Sequence, residues 1–259
     1  MKLFVTSRLL SAAGVAHGFS LRTGGVSSGP FSSLNLSVSV GDAEDAVREN
    51  HDRLREAAGL RGRVATAHQV HGDRVVDARL QEIFAPTGPQ QGPLDETADA
   101  LLALGDSAVG VRVADCVPIL LAADGGVAAV HSGWRGTRLK IAARAVRALQ
   151  HAAGADPARI LAAIGPCIGR CCYEVSPDLA AAFRAQFGPE AADDPARSAR
   201  PHLDLRYCVE QALAQAGVPA ERIEQVEGCT SCDTGSFFSH RRDKGRTGRH
   251  LAFIQPLVS

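Results

Sequence analysis

One thiol and three imidazoles fall beside short apolar runs. His68 and His71 lie in Ala67-His68-Gln69-Val70-His71-Gly72, Cys116 in Ala114-Asp115-Cys116-Val117-Pro118, and His131 in Val130-His131-Ser132-Gly133-Trp134-Arg135-Gly136. One thiolate with two imidazoles is a Cys-His-His set for zinc, and three protein ligands leave the fourth tetrahedral position open to water or substrate. Two other readings remain open on spacing alone. A thiolate beside an imidazole is the nucleophile–base pair of cysteine hydrolases. A buried cysteine with two hydrogen-bonded histidines needs no chemistry at all. The first two differ in behaviour: zinc shields the thiolate from alkylation, and a free catalytic thiolate alkylates readily at neutral pH.

Arginines beside glycine turns are a second theme. Arg22-Thr23-Gly24-Gly25 and Arg135-Gly136 set guanidinium groups next to flexible backbone, and Arg241, Arg242, Lys244, Arg246 and Arg249 form a basic run. Arginine forks match phosphate oxygens bidentately; a solvated basic loop is the alternative. The remaining cysteines carry less. Cys229-Thr230-Ser231-Cys232 has a C-x-x-C spacing, and Cys167, Cys171 and Cys172 cluster in a loop with Gly165, Pro166 and Gly169. A second zinc site calls for a regular pair of pairs, so these are expected to be small buried apolar residues. Trp134, the single tryptophan, suits either a planar ligand or the core.

The elements that must position these groups alternate between strands and helices. Asp42 is placed to cap a helix running to about Ala58, with Gly59 ending it. Val64–Val70 and Arg74–Ala78 read as strands, and Pro86–Pro93 as a loop. Ala100–Leu104, Ala108–Val113, Val117–Ala122 and Val127–Val130 are too short for helices and are bounded by Gly or Asp, so each reads as a buried strand. Thr137–Ala153 is a helix with one apolar face, and Arg159–Ile164 a strand. Ser176-Pro177 opens a helix to about Phe187. Residues 188–201 form a loop, Leu205–Ala216 a helix, and strands lie near Ile223–Val226 and Leu251–Ile254. Strands in succession without helices between them imply a mixed sheet. Strand ends along one sheet edge are where such sites are built.

Bulk properties narrow the class. The 259 residues carry 28 Lys plus Arg against 28 Asp plus Glu, so there is no bulk electrostatic reason to bind nucleic acid or anionic lipid. The 45% hydrophobic content supports a large core, as one domain or two fused ones. The longest apolar stretch, Val117–Val130, is interrupted by Asp124-Gly125-Gly126 and is unsuited to span a bilayer. The segment after Arg8 only weakly imitates a signal peptide and reads as a strand-and-turn start. Seven irregularly spaced cysteines do not form a paired disulfide framework, so a cytoplasmic location is expected.

Eight segments in order resemble one family, variously named laccase-like (multicopper polyphenol oxidase), purine nucleoside phosphorylase and peptidoglycan editing factor. They are Ser20–Ser27, Ser33-Leu34-Asn35-Leu36, Gln69–Gly72, Ala114–Pro118, Ala129–Gly136, Ile164–Pro166, Cys172–Val175 and Phe237–Asp243 with Thr247-Gly248-Arg249. The resemblance covers nearly the whole chain. It implies a single domain over residues 1–259, an α/β (α+β) fold with a mixed β-sheet sandwich flanked by helices, and Zn²⁺ on His71, Cys116 and His131, with His68 nearby but not a ligand. It implies phosphorolysis of purine nucleosides, including methylthioadenosine, with adenosine deaminase activity, so purine nucleoside and phosphate are the expected partners. Arg22, Asn35, Arg135 and Arg242 are then the candidate phosphate and substrate contacts, and Asp115 the candidate catalytic acid or a residue supporting the metal. Alternatives are a peptidoglycan editing hydrolase, a copper-dependent polyphenol oxidase and a non-catalytic metal-carrying binding module. With nine histidines and no His-x-His pair, the chain suits one zinc better than several coppers, although copper binds such N and S donors tightly in vitro.

Overall fold

Thirteen strands and six α-helices are described, over residues 2–78 and 94–256 of the computed structural model. In chain order they are β1 (Phe4–Val5), α1 (Arg8–Ala12), β2 (Ala16–Ser20), α2 (Glu44–Ala58), β3 (Val64–Ala65), β4 (Ala67–His68), β5 (Val75–Asp77) and β6 (Leu94–Thr97). Then come β7 (Ala100–Ala103), β8 (Ala108–Val113), β9 (Val117–Ala123), β10 (Gly126–Ser132), α3 (Trp134–Arg138), α4 (Ile141–Ala153) and β11 (Leu161–Ile164). The chain closes with α5 (Pro177–Phe187), α6 (Leu205–Gln215), β12 (Ile223–Gln225) and β13 (His250–Gln255).

The strands form two mixed sheets, ordered β1-β2-β13-β8-β3 and β12-β11-β9-β10-β7-β5, with a short β4-β6 pair beside them. The four apolar runs are central because they are buried on both faces, which is why they read as continuous rather than alternating. Period-two alternation still sorts their side chains. On β9, Ile119 and Leu121 face the layer of α4 and α6, whereas Leu120 and Ala122 face the other sheet. On β13, Ala252 and Ile254 fill the space between the sheets, and Leu251 and Phe253 pack toward Leu54 of α2. The result is helix, sheet, sheet, helix: the expected mixed sandwich flanked by helices.

Several expectations are corrected. The segment Val64–Val70 is two short strands rather than one. The expected helix Thr137–Ala153 is α3 plus α4, because Lys140 takes a left-handed conformation (φ 59°) that breaks the helical ladder and turns Ile141 into the core. Asp42 does not cap α2. Ala43 is the cap residue, and the Asp42 carboxylate accepts from the Ala43 N–H and the Asn35 amide. The strand-and-turn start is instead the helix α1, whose N-cap Ser7 accepts from Leu10 N–H. Cys167 and Cys208 are buried as expected, but Cys171 and Cys232 are exposed. The expected Pro86–Pro93 loop lies outside the described residues. No helix among the described residues is long and apolar enough to cross a membrane.

Candidate metal centre and cleft

Strand register brings the three metal-type ligands together. In the β10–β9 pair His131 faces Pro118 and Ser132 faces Val117, so Cys116, one residue beyond, lies at the end of β10. In the β10–β7 pair Val130 faces Ala100, which sets Asp99 beside His131. His71 arrives on the loop after β4. Gln69 fixes that loop to the edge of β8: its amide nitrogen donates to Arg112 carbonyl oxygen at 2.8 Å, and its oxygen accepts from Arg112 N–H at 2.7 Å. The ring nitrogens of His71 and His131 and the Cys116 Sγ then lie within 4.8 Å of one another.

The buried carboxylate of Asp99, absent from the sequence-based site, holds this arrangement. It accepts hydrogen bonds from Val70, His71 and Gly72 N–H at 3.2, 2.9 and 2.7 Å, and from His131 Nδ1 at 2.8 Å. A carboxylate only accepts, so Nδ1 carries the proton and His131 Nε2 is directed to the ligand side. The N–H cradle also stabilises His71 in its left-handed conformation (φ 62°), a geometry costing about 1–3 kcal/mol for a residue with a side chain. Burial alone would raise the Asp99 pKa, but the His131 ring and these N–H groups prevail and lower it. The Cys116 thiol is likewise opposed by burial, yet the His131 and His71 rings bring it down to about 6. Burial would lower His131, but the Cys116 thiolate and Asp99 carboxylate raise it to about 9. Without a metal the pair is therefore a Cys116 thiolate beside a protonated His131 ring; the thiolate is the form that ligates a metal, and ligation through His131 Nε2 would release that ring's second proton.

The donor set fits a single tetrahedral ion: one thiolate, two imidazoles, a hydrogen-bonded partner behind one ring, and a vacant approach. Gly133 supplies the space. A Cβ there would sit 2.8 Å from His71 Cδ2 and 3.1 Å from Cys116 Sγ. The following turn is locked by Thr137, whose hydroxyl donates to Gly133 carbonyl oxygen at 2.9 Å.

The three ligands open into a cleft of about 390 Å³ between the strand ends. Its walls bring three guanidinium-bearing residues to the centre: Arg112, Arg241 and Arg249. Tyr173 and Ile168 add an apolar face, and His68 lines the mouth. Burial pushes the Tyr173 hydroxyl up to about 12, so it remains a neutral donor. A second lobe of about 230 Å³ shares the metal-side residues and is bounded by Trp134 and Arg135, whose guanidinium stacks on the Trp134 ring at 5.0 Å.

Of the residues singled out from sequence, His71, Cys116, His131, Asp115 and Arg135 meet at the site, together with His68, Trp134 and, from the basic run, Arg241 and Arg249. Asp115, at φ 91°, is held from the opposite loop: Thr230 hydroxyl and Arg241 N–H each donate to its carboxylate at 2.6 Å. Three others stand outside the cleft. Arg22 donates to the Ser32 and Thr234 carbonyl oxygens and lies over the Phe238 ring. Arg242 is committed to the Thr230 and Phe237 carbonyl oxygens and to Asp243. Asn35 is fully buried, and its side-chain oxygen accepts from Arg249 N–H at 2.9 Å, so it positions a cleft arginine instead. Asp99, Gln69 and Arg112 were missed. The only trace of Asp99 in the sequence is an acid placed directly before an apolar strand.

Sandwich, strand-end cleft and the converging His71, Cys116 and His131 define an α/β protein with a candidate metal centre in a cleft. Residues 16–256 match the family described as multi-copper polyphenol oxidoreductase laccase, and the chain belongs to it. It is 40% identical to purine nucleoside phosphorylase YlmD of Geobacillus stearothermophilus, covering 93% of this chain and 90% of the relative. It is 35% identical to purine nucleoside phosphorylase YfiH of Escherichia coli K12, covering 93% of each. The solved structure of YlmD from G. stearothermophilus superposes with a TM-score of 0.87 at 34% identity over 100% of both chains. That of the Bacillus licheniformis hypothetical protein YfiH gives 0.84 at 33% identity, covering 95% of this chain and 94% of the other.

Proposed function

We propose that this chain is a zinc-dependent purine nucleoside phosphorylase, acting as a single domain in the cytoplasm, with adenosine deamination as a second activity of the same centre. The observation that carries it is the set His71–Cys116–His131, backed by Asp99, at the head of a cleft that also holds three arginines. The names of the relatives support the same reading.

Bound at these three residues, zinc would supply Lewis-acid chemistry. The chain's own residues account for the remainder. Arg112, Arg241 and Arg249 are suited to bind phosphate, each guanidinium offering a fork of N–H donors. Arg241 and Arg249 keep part of that fork on the Glu174, Thr247 and Gly248 carbonyl oxygens, which fixes their orientation. Tyr173 and Ile168 offer a flat apolar surface for a purine. In phosphorolysis an oxygen of hydrogen phosphate forms a bond to the anomeric carbon as the bond to the purine nitrogen breaks, and the proton that the phosphate gives up ends on the purine nitrogen, giving ribose 1-phosphate and the free base. Asp115 already accepts two short hydrogen bonds, so its assigned role is to hold the Arg241 loop over the centre rather than to donate a proton.

The test is hypoxanthine release from inosine by zinc-loaded protein, with and without phosphate. Phosphate-dependent release that disappears in Cys116→Ser and His71→Ala, together with their zinc, is the expected result. Full turnover by metal-free Cys116→Ser would sink the reading. Ammonia release from adenosine tests the deaminase part separately.

A further inference from the structure

We propose that Cys171, Cys172, Cys229 and Cys232 form a second, closed metal site for a thiophilic tetrahedral cation, zinc foremost, which fastens together the two loops that wall the cleft. All four sulfurs lie within 4.8 Å of one another. Four of their separations are 3.8 Å (Cys171–Cys172), 3.7 Å (Cys171–Cys229), 3.5 Å (Cys171–Cys232) and 3.3 Å (Cys172–Cys232). A tetrahedron of sulfurs at Zn–S bonds of about 2.3 Å has edges of about 3.8 Å, so an ion fits with small side-chain adjustments.

The other accounts of these residues fit less well. Cys171 and Cys232 are exposed, so they are not small core residues. One disulfide would use two of the four sulfurs and leave the remaining pair without a reason to converge. The backbone is arranged as at a metal knuckle. Gly169 N–H donates to Cys229 Sγ at 3.2 Å, the kind of bond that supports a thiolate ligand. Cys172 and Tyr173 N–H both donate to the Gly169 carbonyl oxygen, which folds the first pair into a tight turn. Asp233 N–H donates to Cys229 carbonyl oxygen at 3.1 Å and closes the C-x-x-C turn. Thr230 N–H reaches Cys167 carbonyl oxygen at 3.0 Å, so the two loops are in register before any ion binds.

Four cysteine ligands leave no open position, which is the pattern of a structural rather than a catalytic ion. Loading it displaces the thiol protons to solvent and leaves a net negative cluster. Arg206 donates to Gly228 carbonyl oxygen at 2.8 Å, beside Cys229, and is itself paired with Glu227 at 3.6 Å. The site adjoins the cleft on both strands of chain. Tyr173 follows Cys172, and Thr230, which follows Cys229, donates to Asp115. The inference is independent of the reaction proposed above.

The test is metal content after zinc loading under reducing conditions and removal of excess. About two zinc ions per chain are expected in the native sequence, about one in Cys116→Ser and about one in Cys229→Ser/Cys232→Ser. Cobalt loaded into Cys116→Ser should give the intense thiolate-to-metal absorption of an all-sulfur tetrahedral site. That measurement leaves the four cysteines intact, so it stands even if the double variant fails to fold. A Cys116→Ser protein that takes up neither zinc nor cobalt overturns the proposal. So does peptide mapping of freshly reduced, zinc-loaded protein that finds Cys171 or Cys232 freely alkylated.

Discussion

Asp99 grips His131 twice: its carbonyl oxygen accepts the His131 backbone N–H at 2.7 Å, and its carboxylate accepts from the ring Nδ1 at 2.8 Å. The first contact continues the β7–β10 ladder, and the second orients the His131 ring of the proposed metal centre. One residue therefore ties the core sheet to the centre, and its carboxylate also carries the His71 loop.

Asp99→Asn keeps an acceptor but loses the charge that raises the basicity of His131. Zinc affinity at the His71–Cys116–His131 centre should fall about 10–100-fold, read by chelator competition in the Cys229→Ser/Cys232→Ser background. Asp99→Ala leaves three backbone N–H groups without their acceptor, at about 1–3 kcal/mol for each that stays buried. It should lower stability in denaturant titration by several kcal/mol. An Asn variant with native affinity would remove Asp99 from the supporting role.

Gly133→Ala places a methyl group 2.8 Å from the His71 ring and 3.1 Å from Cys116 Sγ. Both neighbours belong to the proposed donor set, so the centre should open while the sandwich persists. The expected outcome is loss of tight zinc at this centre with native far-UV circular dichroism. Undiminished affinity would mean that the ligands have room to yield.

Phosphate binding should depend on the cleft arginines rather than on those outside it. Removing one charge-assisted hydrogen bond costs about 1.5–3 kcal/mol, or about 10–100-fold. Arg112→Met and Arg249→Met should raise KM for phosphate by that factor with a smaller change in KM for inosine. A larger effect from Arg22→Met than from Arg249→Met would return phosphate to the arginines that the sequence first indicated.

Acid stability should depend on Glu224. Burial opposes its ionisation, but Leu9 N–H and Ser7 hydroxyl donate to it and hold its pKa at about 2, below the ordinary 4.5. A depressed folded value contributes stability that is fully present above the unfolded pKa and lost as pH falls through the folded one. Glu224→Gln should therefore destabilise by about 1–3 kcal/mol near neutral pH, and the gap should close between pH 4.5 and about 2. Equal gaps at pH 7 and pH 2.5 in denaturant titrations would contradict this account.

The sequence alone determined the elements whose signals are local. Ser176-Pro177 opened α5, Gly59 ended α2, and four bounded apolar runs became β7 to β10 because burial on both faces demands continuous apolar chain. It also offered His71, Cys116 and His131 as a candidate donor set, since few side chains carry thiolate or imidazole donors. Tertiary structure decided what depends on register and on contacts between distant segments. Asp99 serves two ligand loops only because β7 pairs with β10 in one register. Arg249, directly before β13 and held by Asn35, lines the cleft, whereas Arg242 is tied to Thr230, Phe237 and Asp243 and does not. The four clustered cysteine sulfurs converge across about sixty residues of chain, as in the Cys171–Cys229 and Cys172–Cys232 pairs, through a loop contact that neither short segment encodes alone. Local patterns specify which residues can act; the long-range hydrogen-bond ladder specifies which of them meet.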